Sequence, residues 1–207
     1  MNTCSMGLKE WKKERELGID TFGALCPTEL SIEATSKLGG HLYQPSSSVI
    51  FEKAMNALPF NFSDKVFLDI GSGKGRALIL AAEAGFSKVI GIEYASELND
   101  IAYINIETVK DRFLNTEFDL REGDALQFDI PAEVDVIYLF NPFDEEAVSG
   151  LMKKVKPAFD QSKPIYLVYV NPVHCAVMQK QLGEPFVTLR NLKGFPEAKL
   201  FSNRAKA

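Results

Sequence analysis

Between Val66 and Leu98 the chain reads VFLDIGSGKGRALILAAEAGFSKVIGIEYASEL. Gly71, Gly73 and Gly75 follow one apolar run and Glu93 closes a second. Glycine permits positive φ and lets a ligand approach bare backbone. A carboxylate at the end of the second run is placed to accept hydrogen bonds from both hydroxyls of a ribose. Spacing disfavours two common ligands of glycine-rich turns. A dinucleotide fingerprint requires G-x-G-x-x-G, and its sixth position here is Arg76. A triphosphate loop requires a Lys-Ser or Lys-Thr pair after its last glycine, and none occurs at that offset. Asp69, just before the turn, would repel a pyrophosphate and suits a ligand with a positive group.

The elements that must position these residues follow from periodicity. From Lys65 onward, short β-branched and aromatic runs (KVFLDI, KVIGIE, TEFDLREGD, VDVIYLF, KPIYLVYV) alternate with helical stretches. That alternation implies a parallel sheet covered on both faces. Ser96 is the expected N-cap of the second of these helices, and Asp144 that of the helix beginning DEEAV. The tail, EPFVTLRNLKGFPEAKLFSNR, lacks a helical pattern and reads as two strands turning near Gly194 and Pro196. Strands joined without a helix pair antiparallel, so five parallel strands are expected to end in a hairpin. Earlier in the chain, LKEWKKEREL reads as a charged surface helix, and SVIFEKAMNALP as a helix closed by Pro59. In such open sheets ligands bind beyond the carboxyl ends of the strands.

The run D-I-G-S-G-K-G matches D-x-G-x-G-x-G, and with Glu93 it resembles the class I S-adenosylmethionine-dependent methyltransferases. The resemblance runs from about Tyr43 to Arg204. It implies a Rossmann-like three-layer α/β sandwich: a seven-stranded, mostly parallel sheet with a C-terminal antiparallel hairpin, plus N-terminal helices. Residues 1–60 would form a helical and loop segment covering the cofactor, and 61–207 the compact cofactor-binding unit. By the same resemblance Asp69, Gly71, Ser72, Gly73, Gly75, Glu93 and Tyr94 would hold S-adenosylmethionine. Asp124 and Ala125 of EGDA would meet its adenine, and Tyr43 of YQPS would cover it. Asn141 of YLFNPF would lie where methyl meets acceptor, with the Phe143 ring against the acceptor. The amino-methylating pattern [DNS]-P-P-[YFW] is matched only in part by NPFD. Pro142 and Phe143 are equally readable as an ordinary loop leading to an Asp144 cap. His174, after a second Asn-Pro, is either the group that takes a proton from the acceptor or a surface residue opening a helix.

Composition narrows the partners. Of 207 residues 46% are hydrophobic and 25% charged, an ordinary globular balance. The net charge of −5 argues against a nucleic-acid partner. Cys4, Cys26 and Cys175 with His41 and His174 show no metal-ligand spacing, so no metal is expected. The absence of a signal-like or membrane-spanning apolar stretch gives a cytoplasmic expectation, with the protein a monomer or homodimer. The first expected acceptor is an amine such as a protein lysine. A small-molecule acceptor and a non-catalytic cofactor-binding scaffold are the alternatives.

Overall fold

A computed structural model describes residues 3–22, 44–140 and 143–204, with backbone alone for 3–9 and Pro196. Tyr43 and Asn141 lie outside the described residues. The order of elements is α1 (Thr3–Leu17), α2 (Ser48–Asn56), β1 (Val66–Ile70), α3 (Arg76–Ala84), β2 (Lys88–Glu93), α4 (Ser96–Val109), β3 (Glu117–Glu122), β4 (Val136–Phe140), α5 (Glu145–Phe159), β5 (Tyr166–Val170), α6 (Cys175–Leu182), β6 (Val187–Arg190) and β7 (Pro196–Ser202).

One seven-stranded sheet runs β3-β2-β1-β4-β5-β7-β6. Neighbours among β1–β5 pair in parallel, whereas β7 pairs antiparallel with both β5 and β6. The expected hairpin is therefore present, and its second strand is the one that joins the sheet. Strand order reverses at β1, whose two neighbours are β2 and β4. Asp69 is the penultimate residue of β1, and Glu93 ends β2 beside it.

The period of two along the strands separates two cores. Phe67, Val136 and Tyr138 point into the layer of α2 and α3. Leu68, Ile137 and Leu139 point into that of α5 and α6. Under α2 the aromatic rings interlock: Phe51 lies 5.8 Å from Phe67 and 5.5 Å from Tyr138, and Phe62 stacks on Phe86 at 4.5 Å. Burying a ring of this size is worth about 1.5–3 kcal/mol, so α2 is held to the sheet by its Phe51 face.

One local expectation is corrected. Ser96 is the first residue of α4 and not its cap; Ala95 precedes the helix, its N–H taken by a Glu93 carboxylate oxygen at 2.9 Å. The α1 helix lies at the surface as expected, with Trp11 exposed and Glu14 turned inward at 5% exposed. Asp144 does cap α5, accepting the Ala147 N–H at 2.8 Å.

Candidate functional site

The chain leaves β1 through three glycines with positive φ: 79° at Gly71, 53° at Gly73 and 82° at Gly75. Gly71 and Ser72 donate their N–H groups to the Ile92 carbonyl at 2.9 and 3.0 Å, which folds the turn back against the end of β2. Glu93 completes the fold, one oxygen accepting from Gly73 N–H at 2.8 Å and the other from Ala95 N–H. Glu93 therefore shapes the turn even before any ligand arrives. A carboxylate offers about four acceptor positions, so Glu93 keeps acceptor capacity for a ligand hydroxyl. Tyr94, partly buried, follows it.

Asp69 is 3% exposed, and among the described residues no donor is hydrogen-bonded to its carboxylate. Burial, and secondarily the charge of Glu93, push its carboxyl well above the usual range. Glu93 is also raised by burial, against the pull of the Ala95, Gly73 and Tyr94 N–H groups. Two buried carboxylates beside bare backbone form a site short of positive charge. An ammonium group at Asp69 and a diol at Glu93 would satisfy both, so the residues present fit S-adenosylmethionine.

The glycines have different reasons for being there. A Cβ on Gly75 would lie 3.2 Å from Ala102 Cβ, so this residue lets α4 approach α3. The Ser72 hydroxyl is buried without a partner, and a Cβ on Gly91 would meet it at 2.9 Å. That side chain points beneath the turn, toward β2, which leaves Ser72 only its backbone to offer a ligand.

Asp124 accepts the Leu126 N–H at 2.8 Å and the Gln127 amide at 3.2 Å, so it caps its own turn. Ala125 is buried next to it. The ring of Phe143, 6% exposed, is part of the core shared by α5 and α6. Of the two readings the sequence allowed, this packing favours the ordinary loop leading to the Asp144 cap, because apolar contacts from two helices hold the ring inside. His174 stands at the carboxyl side of β5 as the cap position of α6, partly exposed, its N–H donated to the Tyr169 hydroxyl at 3.3 Å. Asn171, just after that strand, has φ 48°, an uncommon conformation for a residue other than glycine.

Sequence reasoning passed over Lys74 between the glycines and used Arg76 after them only to exclude a dinucleotide. Lys74 is 2% exposed and pairs with Asp20 at 2.9 Å. Arg76, 8% exposed, donates from Nε to the Ser46 carbonyl at 2.7 Å. Its remaining nitrogens reach Glu14 and Thr21 at 2.9 Å and Glu10 at 3.0 Å. Glu10 also accepts from Ser48 N–H and hydroxyl at 2.9 and 2.7 Å. Burial draws the Glu10 carboxyl up, but those Ser48 bonds and the Arg76 charge outweigh it and hold it below the usual range. Asn105 on α4 donates to both the Asp20 and Lys74 carbonyls, at 2.9 and 3.0 Å. Tyr138, in register with Asp69, donates to the Ser46 hydroxyl at 3.1 Å. The signal available in the sequence was the pair of charges themselves, placed where a turn of small residues would have sufficed.

Among the described residues no cluster of His, Cys, Asp and Glu is disposed to hold a metal ion, and no helix is long and apolar enough to cross a membrane.

No protein-family model matches the chain. Among curated proteins it is similar to the histone-arginine methyltransferase CARMER of Drosophila mojavensis, 30% identical over 87 residues. Those residues are 42% of this chain and 15% of that relative. The Drosophila willistoni counterpart is 29% identical over the same length, covering 16% of its own chain. The match thus spans under a fifth of the length of these relatives. Among solved structures, an RNA methyltransferase from Salinibacter ruber in complex with S-adenosyl-L-homocysteine superposes with a TM-score of 0.57. It is 19% identical, over 79% of this chain and 95% of that one. A SAM-dependent methyltransferase from Aquifex aeolicus gives 0.56 at 15% identity, over 73% and 87% of the two chains. A geranyl diphosphate C-methyltransferase from Streptomyces coelicolor gives 0.54 at 13% identity, over 75% and 76%.

Proposed function

The chain has the Rossmann-like fold of the class I S-adenosylmethionine-dependent methyltransferases, and from that premise we propose that it transfers a methyl group from S-adenosylmethionine to an amine nitrogen. The observation that carries this reading is Asp69: a buried carboxylate with no described donor, beside Glu93 and the glycine turn, at the sheet's switch point. Asp69 receives the ammonium of the cofactor's amino-acid part, and Gly71 to Gly75 line that part with backbone. Glu93 takes the ribose hydroxyls with its remaining acceptor capacity, and Tyr94, Asp124 and Ala125 border the adenine. Tyr43 and Asn141 belong to the same proposal through the resemblance of their motifs.

The bound cofactor supplies a methyl group on a sulfonium, already activated for attack. The chain has to hold the acceptor in line, keep water out and have its nitrogen uncharged. Tyr138 and the buried Arg76 network close one side of the site to solvent. His174, at the carboxyl edge of the sheet, takes the proton that the acceptor nitrogen must lose.

The acceptor proposed is a protein side chain, with lysine first. Two observations favour a cationic protein partner. The curated relatives are histone-arginine methyltransferases, and Glu145 and Glu146 stand exposed at the start of α5, on the same sheet edge. The test is incubation of the protein with radiolabelled S-adenosylmethionine and a host lysate, separated into protein, nucleic-acid and small-molecule fractions. Label in protein, recovered as methyl-lysine after hydrolysis, is expected. Label confined to nucleic acid or small molecules would overturn the acceptor. Failure to bind S-adenosylhomocysteine in calorimetry would overturn the whole reading.

A further inference from the structure

We propose that Arg76 is a positioning residue that links the attachment of the N-terminal segment to the shape of the glycine turn, so that segment docking and cofactor binding favour each other. The inference rests on the cofactor reading above. It starts from a conflict of burdens on five residues. Gly71 to Gly75 must present backbone to a ligand, yet three of them are glycines with no side chain to fix the turn. Glu93 holds the turn from β2 through the Gly73 N–H. From the opposite side, Lys74 and Arg76 flank Gly75 and anchor it to a different part of the chain.

The anchor is unusual in what it gathers. Arg76 bonds Glu10 and Glu14 on α1, Thr21 just after it, and the Ser46 carbonyl just before α2. Positions 21 and 46 are thus brought to one guanidinium. Asn105 adds a second tie by bonding the backbone at Asp20 and at Lys74 together. Ser46 adds a third through the Tyr138 hydroxyl, next in register to Asp69. Any change in the turn that accommodates a ligand is therefore felt at residues 10–21 and 46–48, and the converse also holds. Linkage makes the coupling equal in both directions.

Fourfold use of a planar guanidinium cannot be copied by an ammonium. Arg76→Lys keeps the charge but drops most of the ties. Asp20→Asn, at a side chain 64% exposed, breaks the Lys74 pair without disturbing the core. Lys13→Gln is the contrast, because Lys13 joins α1 to Glu83 at the exposed far side of α3.

The experiment is calorimetric titration of the full chain with S-adenosylhomocysteine, paired with hydrogen exchange over residues 10–21. Saturation with S-adenosylhomocysteine is expected to slow exchange there in the wild type. Arg76→Lys is expected to raise the dissociation constant about tenfold and to abolish that protection, Asp20→Asn to raise it about threefold, and Lys13→Gln to leave it within twofold. Wild-type binding with no added protection at 10–21, or equal affinities for Arg76→Lys and wild type, would overturn the linkage and leave the cofactor reading standing. So would equal losses in Arg76→Lys and Lys13→Gln, the mark of a merely structural role. A wild type that does not bind would overturn both.

Discussion

Replacement of Asp69 by asparagine should have opposite effects on stability and on binding. In the cofactor-free protein the Asp69 carboxylate is 3% exposed and its carboxyl is pushed well up by burial and by Glu93. A carboxyl raised in the folded state stabilises the fold below its unfolded pKa, near 4, and that contribution is lost as pH rises through the folded value. At neutral pH Asp69 is therefore a destabilising group, and Asp69→Asn should raise the urea midpoint of the free protein. It should also flatten the fall in stability above pH 4. Binding behaves in the reverse way. Losing one partner of a buried ion pair costs about 3–5 kcal/mol. Part of that is already spent in the free protein, where the carboxylate stands unpaired, so the lower figure applies. At 1.4 kcal/mol per decade, about 3 kcal/mol weakens S-adenosylhomocysteine roughly a hundredfold. Wild-type affinity should likewise decline as pH falls and Asp69 takes up a proton. Calorimetry at three pH values and urea unfolding on the same samples measure both. A change of less than threefold in affinity, or a variant less stable than the wild type, would refute the assignment.

Three other substitutions probe neighbouring claims. Glu93→Gln retains one acceptor oxygen where three backbone N–H groups and a diol compete. Cofactor binding should fall by about 1.5–3 kcal/mol, read by calorimetry, with a lowered urea midpoint from the N–H left unpaired. Gly75→Ala combines a φ of 82° with a Cβ that would lie 3.2 Å from Ala102. Left-handed strain of about 1–2 kcal/mol and roughly 1 more from overpacking should appear together in urea unfolding. His174→Gln should lower kcat about a hundredfold at neutral pH with S-adenosylhomocysteine affinity unchanged. An unaltered kcat would remove His174 from the proton transfer.

Much of this architecture was legible because its signals are local. The alternation of short apolar runs with helical periods leads directly to β1–β5. The helix-free tail leads to an antiparallel pair, and D-x-G-x-G-x-G with Glu93 leads to the switch point. What escaped depends on partners distant in the chain. Arg76 served in the sequence only to exclude a dinucleotide, whereas its purpose in the fold is Glu14, 62 positions away, and Ser46, 30 away. Phe143 has the composition of an acceptor-facing aromatic, but helices still unformed at the level of sequence bury it. Ser96 has the chemistry of a cap. A carboxylate three residues earlier already governs the entry to α4, which leaves its hydroxyl 3.5 Å from Glu97. Gly75 looked like its two companions and turned out to answer to Ala102.

The strand order also bears on how the protein keeps to itself. A seven-stranded sheet has two free margins, each a row of unpaired amide and carbonyl groups open to strands of other molecules. Here one margin is β3, whose sequence EFDLRE places four charged side chains among six residues, with Asp119 and Arg121 paired at 2.6 Å. The other is β6, four residues long, with an irregular register at Leu189 and Arg190 and an arginine at its end. The hydrophobic strands β1, β4 and β5, five residues each, lie inside these margins. A foreign strand would have to desolvate charges on one side or find only a short, bent ledge on the other. Placing β7 between β5 and β6 thus does more than finish the sheet. It moves a seven-residue strand away from the rim and leaves there the pieces least able to seed aggregation.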